Sequence, residues 1–237
     1  MNIPMALLKQ FKTPFGIIRV LRDRDGTLAY YQNGCFHSQS TARGISLCAY
    51  AHVLCEIIRQ KKACKVLVIG CGGGNVATML RRHQMDVTVV DINPMALSIA
   101  RDYFAMPNDV VCITQNGLTY VRTIKERFDA VVIDVFDSHN NVPSGFTTKS
   151  FLGAARKVLR RGGVLIMNTI TKNDKDHGAD VIARHVNAAG MKTTIYEWSK
   201  EKDRNALIVG GTVKNISIPS GKEPAFIKQQ LKKLVMR

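Results

Sequence analysis

The sequence lacks any apolar run that approaches the ~20 residues of a membrane-spanning helix. It also lacks a low-complexity linker and an internal repeat. Its N-terminus carries Pro4 and Lys9 around a short apolar patch at residues 5–8, which is a poor match to a signal peptide. These absences predict a soluble cytoplasmic protein with no membrane partner.

Closely spaced cysteine pairs are also missing. The six cysteines, at positions 35, 48, 55, 64, 71 and 112, include no Cys-x-x-Cys pair. Cys48, Cys71 and Cys112 lie in segments whose pattern indicates burial. Free thiols are therefore expected, rather than disulfides or a metal site.

Acidic residues are scarce relative to basic ones, with 18 Asp and Glu against 34 Lys and Arg and a net charge of +16. Such a charge favours a nucleic acid or another anionic partner, whereas a solvated basic surface that aids solubility is the alternative. The residues that could form a phosphate-contacting face are Arg156, Lys157, Arg160, Arg161, Lys200, Lys202 and Arg204.

A glycine-rich turn follows the apolar segment at residues 65–69. That segment is too short for a core helix and predicts a buried parallel strand. The turn, Gly70-Cys-Gly-Gly-Gly74-Asn75, leads into a helix-compatible stretch. Because glycine permits unusual backbone angles and lets a ligand approach the main chain, Gly70, Gly72 and Gly74 suit a nucleotide-sized ligand.

An acidic residue ends the next apolar run, at residues 87–90. This residue is Asp91, and a carboxylate at that strand end could accept both hydroxyls of a ribose. The acid makes the glycine pattern a stronger indication of a nucleotide site than the glycines alone would be.

Strand and helix patterns alternate from Cys64 onward, as a doubly wound α/β domain requires. The predicted strands are residues 65–69, 87–90, 110–114, 130–134, 164–169, 193–198 and 206–210. The predicted helices are residues 75–83, 94–104, 117–125, 149–160, 174–189 and 222–235.

The chain before this alternation predicts a small β meander and a connecting helix. A helical pattern changes to an alternating one at Phe15, and Asp25-Gly26 and Asn33-Gly34 are strong hairpin signals between strands at residues 16–21, 27–32 and 35–39. Residues 45–60 predict a helix in which Tyr50 and His52 are core-edge residues rather than catalysts. The predicted organisation is a meander at 1–44, a connecting helix at 45–63, an α/β domain at 64–215 and a C-terminal basic helix at 216–237.

Ligands of open α/β sheets bind beyond the carboxyl ends of the strands, so the residues there are candidates for function. The third strand leads to Gln115-Asn116-Gly117, whose amide side chain could read an adenine edge. The fourth leads to Asp134 and Asp137, which could bind or deprotonate an acceptor. The alternative is that Asp134 holds backbone amides and that Asp137 caps a loop.

These motifs together resemble the spermidine synthase-like family of the class I S-adenosylmethionine-dependent transferases. The resemblance implies an α/β fold, in which a doubly wound, Rossmann-like sheet of the methyltransferase type follows a small N-terminal β meander. It also implies a transferase that is often a homodimer. The segments that carry it are the hairpin at Asn33-Gly34 and residues 68–74, 89–93, 115–117, 128–137 and 159–168.

The resemblance also implies roles for individual residues. Asp91 would hold the ribose diol, Asn116 with Gly117 the adenine, and Asp134 would orient and deprotonate an attacking amine. The expected cofactor is S-adenosylmethionine or its decarboxylated form, and no metal is expected. The predicted cofactor-binding residues are Gly70, Gly72, Gly74, Asp91, Ile92, Asn116, Gly117 and Asp134, and the predicted catalytic residues are Asp134 and Asp137.

Three features of the sequence depart from the family pattern. Gly73 stands where the family usually has an aspartate that binds the aminopropyl ammonium, and His37 stands where a glutamine is usual. Ser46-Leu47-Cys48 replaces a Tyr-His-Glu type stretch. An amine site without these acids binds a diamine poorly, because each ammonium must exchange its water for a paired charge.

Three functions remain open at this point. The first is transfer of an aminopropyl group from decarboxylated S-adenosylmethionine to an amine, with ordinary spermidine synthesis in doubt. The second is methyl transfer from S-adenosylmethionine to an anionic or macromolecular substrate. The third is a catalytically inactive, nucleotide-binding homologue.

Overall fold

A computed structural model describes residues 5–137, 139–198, 202–213 and 225–237. Its N-terminal sheet is antiparallel, with four strands in the order β1-β2-β3-β4. These strands are β1 (Ala6–Thr13), β2 (Gly16–Arg22), β3 (Leu28–Gln32) and β4 (Cys35–Ser40). The helical pattern expected before Phe15 is wrong, because Ala6–Thr13 pairs with β2 as a hairpin closed at Thr13 and Gly16.

The larger sheet has eight strands in the order β12-β10-β11-β9-β8-β5-β6-β7. Parallel pairing joins β7, β6, β5, β8 and β9, and the three remaining strands are antiparallel. The strands are β5 (Lys65–Ile69), β6 (Asp86–Asp91), β7 (Val111–Thr114), β8 (Phe128–Ile133), β9 (Leu159–Thr171), β10 (Thr193–Trp198), β11 (Arg204–Gly210) and β12 (Leu234–Met236).

The helices follow the predicted alternation, with shifts at their ends. They are α1 (Ala49–Gln60), α2 (Asn75–Arg82), α3 (Pro94–Phe104), α4 (Gly117–Thr123), α5 (Ser144–Thr147), α6 (Lys149–Lys157), α7 (Gly178–Ala188) and α8 (Ala225–Leu231). The bounds predicted for α3 are confirmed, and the Asn93 side chain caps it by accepting from the Met95 N–H. Helix α7 begins four residues later than predicted, because Asp176 accepts from the N–H groups of Lys172 and Gly178 and so closes a turn there.

The C-terminal helix ends earlier than predicted. A helix was predicted over residues 222–235, of which 222–224 lie outside the described residues, but α8 ends at Leu231 and the chain then forms β12. This strand pairs antiparallel with β10, and backbone hydrogen bonds join Ile195 and Arg237 in both directions. The Arg237 guanidinium also pairs with Glu197 and Asp180. Pairing with the sheet edge therefore overrides the local helical pattern.

The sheet has a packed core on both faces, as a doubly wound domain requires. Successive β5 side chains point to opposite faces, so Val66 and Val68 contact one cluster and Leu67 and Ile69 the other. Helices α1 and α2 contribute to the first cluster, and α4, α6 and α7 to the second.

A third cluster fixes the meander over the end of the parallel strands. Ile18, Val20 and Tyr30 from the meander pack against Ile99 and Phe104 of α3. Phe104 has no exposed surface, so its truncation to alanine should cost about 3–5 kcal/mol of stability. This packing places β3 and β4 beside the glycine-rich turn.

The cysteines are free thiols, but Cys48, Cys71 and Cys112 are half-buried rather than fully buried, and Cys55 is the buried one. No helix among the described residues is long and apolar enough to cross a membrane. Within the same described ranges, no group of three His, Cys, Asp or Glu residues is placed to hold a metal ion.

Two residues of the predicted phosphate-contacting face are held in ion pairs. Arg204 is buried, and it pairs with Asp174 at 2.9 Å and with Glu197 at 3.7 Å, so it is not available on a basic surface. Arg160 lies in β9 rather than in a helix and pairs with Asp129. Lys200 lies outside the described residues.

Candidate active site

A cavity of about 600 Å³ lies between the meander and the carboxyl ends of the parallel strands. Its position agrees with the rule that ligands of α/β sheets bind beyond the strand ends, and its volume suits a nucleoside with a tail. The predicted site residues that line it are Gly72, Asp91, Ile92, Asn116, Gly117, Asp134 and Asp137.

Gly70 and Gly74 lie outside the lining of this cavity and border a much smaller one. A Cβ added at Gly70 would lie 2.1 Å from the backbone oxygen of Asp134. Gly74 has a φ of +69° at the start of α2, and a Cβ there would lie 2.8 Å from the Met106 sulfur. Close packing therefore explains both glycines, whereas Gly72 lies on the cavity itself.

Asp91 is held at the end of β6 by two backbone N–H groups. Its Oδ2 accepts from Cys71 in the glycine-rich turn, and its Oδ1 accepts from Asn93, both at 2.8 Å. Burial raises the pKa of Asp91, and these N–H donors oppose that effect. The result is a fixed carboxylate beside the turn, at the position predicted for the ribose diol.

The cavity also has apolar lining residues, which include Ile92, Leu118 and Phe146. A Cβ on Gly117 would lie 2.4 Å from the Ile69 side chain. The Asn116 side chain caps α4, because its Oδ1 accepts from the Leu118 N–H at 2.8 Å. The Oδ1 of Asn116 is thus engaged in the helix cap, and the amide nitrogen is placed to donate to a base edge, as the prediction that it reads adenine requires.

Asp134 has a different environment at the end of β8. Its Oδ2 accepts from the Tyr50 hydroxyl at 3.0 Å, and its Oδ1 accepts from the Asn168 amide at 2.9 Å. Asn205 donates in turn to Asn168 at 3.0 Å. Burial raises the pKa of Asp134, and the two side-chain donors lower it in part.

Tyr50 was interpreted as a core-edge residue, and its contact with Asp134 was missed. Helix α1 brings it to the carboxylate, although the two residues are 84 positions apart. Short-range sequence patterns carry no signal for a contact between residues this far apart. His52 lies in the core, where its ring contacts the backbone oxygen of Ser46.

Asp137 caps a loop. Its Oδ1 accepts from the N–H groups of His139 at 2.8 Å and Asn141 at 3.0 Å. Slight burial acts to raise the pKa of Asp137, but the donors of Asn141 and His139 outweigh it and lower the pKa. Asp137 lines the cavity, and its Oδ1 caps the loop, as the loop-capping alternative expects.

The opposite wall of the cavity comes from the meander and carries no carboxylate. Its polar members are Tyr30, Gln32, Asn33, His37 and Ser38. Burial raises the pKa of Tyr30 and lowers that of His37, so both rings are neutral near pH 7.

Comparison with known proteins shows which family the chain belongs to. A family model described as the spermine/spermidine synthase domain matches residues 48–198. The chain belongs to this family. The match includes the glycine-rich turn and both aspartates, Asp91 and Asp134.

Individual relatives share part of the chain. A polyamine aminopropyltransferase of Chromobacterium violaceum is 31% identical over 108 residues, which are 44% of this chain and 41% of the relative. An eEF1A lysine and N-terminal methyltransferase homologue of Drosophila pseudoobscura pseudoobscura is 28% identical over 121 residues, which are 46% of this chain and 18% of the relative. The matched region thus spans less than half the length of these curated relatives.

The fold extends over more of the chain than these sequence matches do. A probable spermidine synthase from Corynebacterium glutamicum has a similar crystal structure, with a TM-score of 0.80 at 17% identity. The similarity covers 99% of this chain and 91% of that chain, and it includes the N-terminal four-stranded sheet. The predicted fold class is thereby confirmed.

Proposed function

We propose that this protein binds a sulfonium nucleoside in the 600 Å³ cavity and transfers an alkyl group from it to an amine. The observation that supports this most strongly is the placement of Asp91 and Asp134 on one cavity, beside the glycine-rich turn. One carboxylate is suited to a ribose and the other to an amine proton. Both S-adenosylmethionine and its decarboxylated form have the adenosine and the sulfonium that this arrangement requires.

Asp134 acts as the base in this proposal. Its half-buried carboxylate has a raised pKa, which strengthens it as a proton acceptor relative to an exposed aspartate. Tyr50 and Asn168 hold both of its oxygens in place, so the carboxylate needs little reorganisation when the amine arrives. The sulfonium already activates the transferred carbon, and the main task of the protein is to position the two reactants.

The family and the aminopropyltransferase relative support aminopropyl transfer to a small amine. Within the described residues, the acids on the cavity are Asp91, Asp134 and Asp137, and each already accepts two hydrogen bonds. The meander side of the cavity carries none of these acids, and Gly73 supplies none in the glycine-rich turn. A diamine would therefore find few carboxylates beyond those assigned to the ribose and the base, so ordinary spermidine synthesis is the weaker form of this proposal.

Methyl transfer from S-adenosylmethionine is the second candidate. A specific observation favours it: Gly73 supplies no carboxylate in the glycine-rich turn. The insect relative is named a homologue of an eEF1A lysine and N-terminal methyltransferase. An anionic or macromolecular substrate would also suit the net charge of +16. Nucleic-acid binding and assembly as a homodimer remain predictions.

Calorimetric titration tests the common part of both candidates. S-adenosylmethionine, its decarboxylated form and S-adenosylhomocysteine should be titrated separately into the protein. At least one should bind with micromolar affinity, which corresponds to about −8 kcal/mol. No binding of any of the three would contradict the proposed function. Binding without turnover against an amine panel would instead support the inactive homologue.

A further inference from the structure

A hydrogen bond between Ser38 and Gly73 shapes the part of the cavity where β4 meets the glycine-rich turn. The Gly73 N–H donates to Ser38 Oγ at 2.9 Å, which joins β4 to the glycine-rich turn. A Cβ added at Gly73 would lie 3.0 Å from both the Ser38 Cβ and the Phe104 ring. Since Phe104 is fully buried, the turn cannot accept a side chain at position 73 unless Ser38 or the core moves.

The Ser38 hydroxyl is left as a donor. Its oxygen accepts from Gly73, and its own proton has no acceptor among the described residues. Ser38 lines both the large cavity and the smaller one beneath the turn. A hydroxyl that has already accepted a hydrogen bond is suited to donate to an anionic oxygen of a ligand.

The wall around Ser38 is neutral and dipolar. Tyr30, Gln32 and His37 are its polar neighbours on the cavity, and the Tyr30 hydroxyl donates to Gln32 at 3.3 Å. A lone ammonium placed against this wall would lose water without gaining an anion, which is costly. A zwitterionic tail carries its own counter-charge and needs only hydrogen-bond donors and acceptors.

We infer that this wall selects S-adenosylmethionine over its decarboxylated form, with the Ser38 hydroxyl donating to the carboxylate of the donor's amino-acid tail. The inference rests on the proposed function and assigns its transferred group, which is then methyl. In the reaction the bond between the sulfonium sulfur and the methyl carbon breaks as a nitrogen–carbon bond forms. The sulfur keeps the electron pair as a neutral thioether, and the amine proton passes to Asp134.

Three ligands that share an adenosine with a 5′ sulfur test this inference; the first two are sulfonium ions that differ only in the carboxylate, and the third is a neutral thioether. S-adenosylmethionine has a carboxylated tail, its decarboxylated form has an ammonium alone, and 5′-methylthioadenosine has no amino-acid tail. The wild-type protein should bind S-adenosylmethionine at least about tenfold more tightly than the decarboxylated form, which corresponds to 1.4 kcal/mol. Equal affinity, or a preference for the decarboxylated form, would overturn the inference.

Substitution of Ser38 tests the assigned group directly. Ser38→Ala should weaken S-adenosylmethionine roughly tenfold, the usual effect of losing a hydrogen bond to a charged group, and should leave the other two ligands within about twofold. Ser40→Ala is the matched control, because Ser40 lies on the same strand but outside the cavity lining. It should change none of the three affinities.

The outcomes distinguish failure of the inference about Ser38 from failure of the proposed function. If Ser38→Ala weakens all three ligands equally, the serine supports only the shape of the turn, and its role in selecting the tail is refuted. If 5′-methylthioadenosine binds and the two tailed ligands are not distinguished, the proposed function stands and this inference fails. If none of the three ligands binds to the wild-type protein, the proposed function itself fails.

Discussion

The ends of β6 and β8 each bring an aspartate to the same cavity, but the two carboxylates are held in different ways. Backbone N–H groups of nearby turns hold Asp91, one of them only two residues away. Side chains from α1 and β9 hold Asp134. The first arrangement follows from the local course of the chain, whereas the second depends on how distant elements pack.

This difference suits the two carboxylates to different roles, one in binding and one in proton transfer. A carboxylate fixed by backbone donors keeps its geometry through most side-chain changes nearby, which suits the binding of a constant adenosine. A carboxylate fixed by Tyr50 and Asn168 can be tuned by single substitutions, which suits a group whose proton affinity matters. Substitutions at the cavity carboxylates and their partners test this comparison.

Asp134→Asn should lower turnover by about 10³-fold, within the range of general-base catalysis, and should leave donor affinity within a few fold. Asparagine keeps the shape of the side chain but cannot accept the proton. The measurement is release of the thioether nucleoside from the donor in the presence of an amine panel. Unchanged turnover would refute the role of Asp134 as the base.

The pH dependence of the melting temperature shows whether Asp134→Asn damages the fold. Burial raises the pKa of Asp134 in the folded protein, so the folded state binds its proton more tightly than the unfolded chain. That contribution to stability is complete below the unfolded pKa of about 3.9 and is lost as the pH rises through the folded pKa. Asp134→Asn should therefore melt above the wild type at pH 7 and approach it at acid pH. A lower melting temperature at pH 7 would point to structural damage.

Asp91→Ala should weaken donor binding by roughly 10- to 100-fold, because hydrogen bonds to a charged group contribute about 1.5–3 kcal/mol. Calorimetry with S-adenosylmethionine measures the effect. Asp86→Ala is the matched control, since Asp86 lies exposed at the opposite end of β6. Equal affinities of the Asp91 variant and the control would show that Asp91 does not hold the ribose.

Tyr50→Phe should reduce turnover roughly tenfold, or about 1.4 kcal/mol, without a large change in donor affinity. The Tyr50 hydroxyl lowers the pKa of Asp134, so its removal should move the acid limb of the pH–rate profile to higher pH. Tyr196→Phe, in a buried tyrosine on β10, is the control and should leave the limb in place. If the acid limb of the pH–rate profile of Tyr50→Phe stays where it is in the wild type, the coupling between Tyr50 and Asp134 is contradicted.

Asp137→Asn should have the smallest effect, less than about threefold on turnover. The asparagine oxygen can accept the same two N–H bonds from His139 and Asn141 that the carboxylate accepts now. A loss as large as that expected for Asp134→Asn would instead make Asp137 a second catalytic acid, and the two predicted catalytic residues would then act together.

The same contrast explains what the sequence could predict. The turn at Gly70–Gly74, Asp91 and the bounds of α3 follow from short-range patterns, because a strand end, a glycine and a cap are local features. The contact between Tyr50 and Asp134, the packing of Ser38 against Gly73 and the pairing of β12 with β10 depend on residues far apart in the chain. No periodicity records such contacts.

The most direct test of the account is a crystal structure with S-adenosylhomocysteine bound. The account predicts that both ribose hydroxyls lie within hydrogen-bond distance of Asp91, and that the sulfur lies between Asp91 and Asp134 inside the cavity lined by both. A nucleoside bound outside this cavity, or one whose ribose does not contact Asp91, would contradict it.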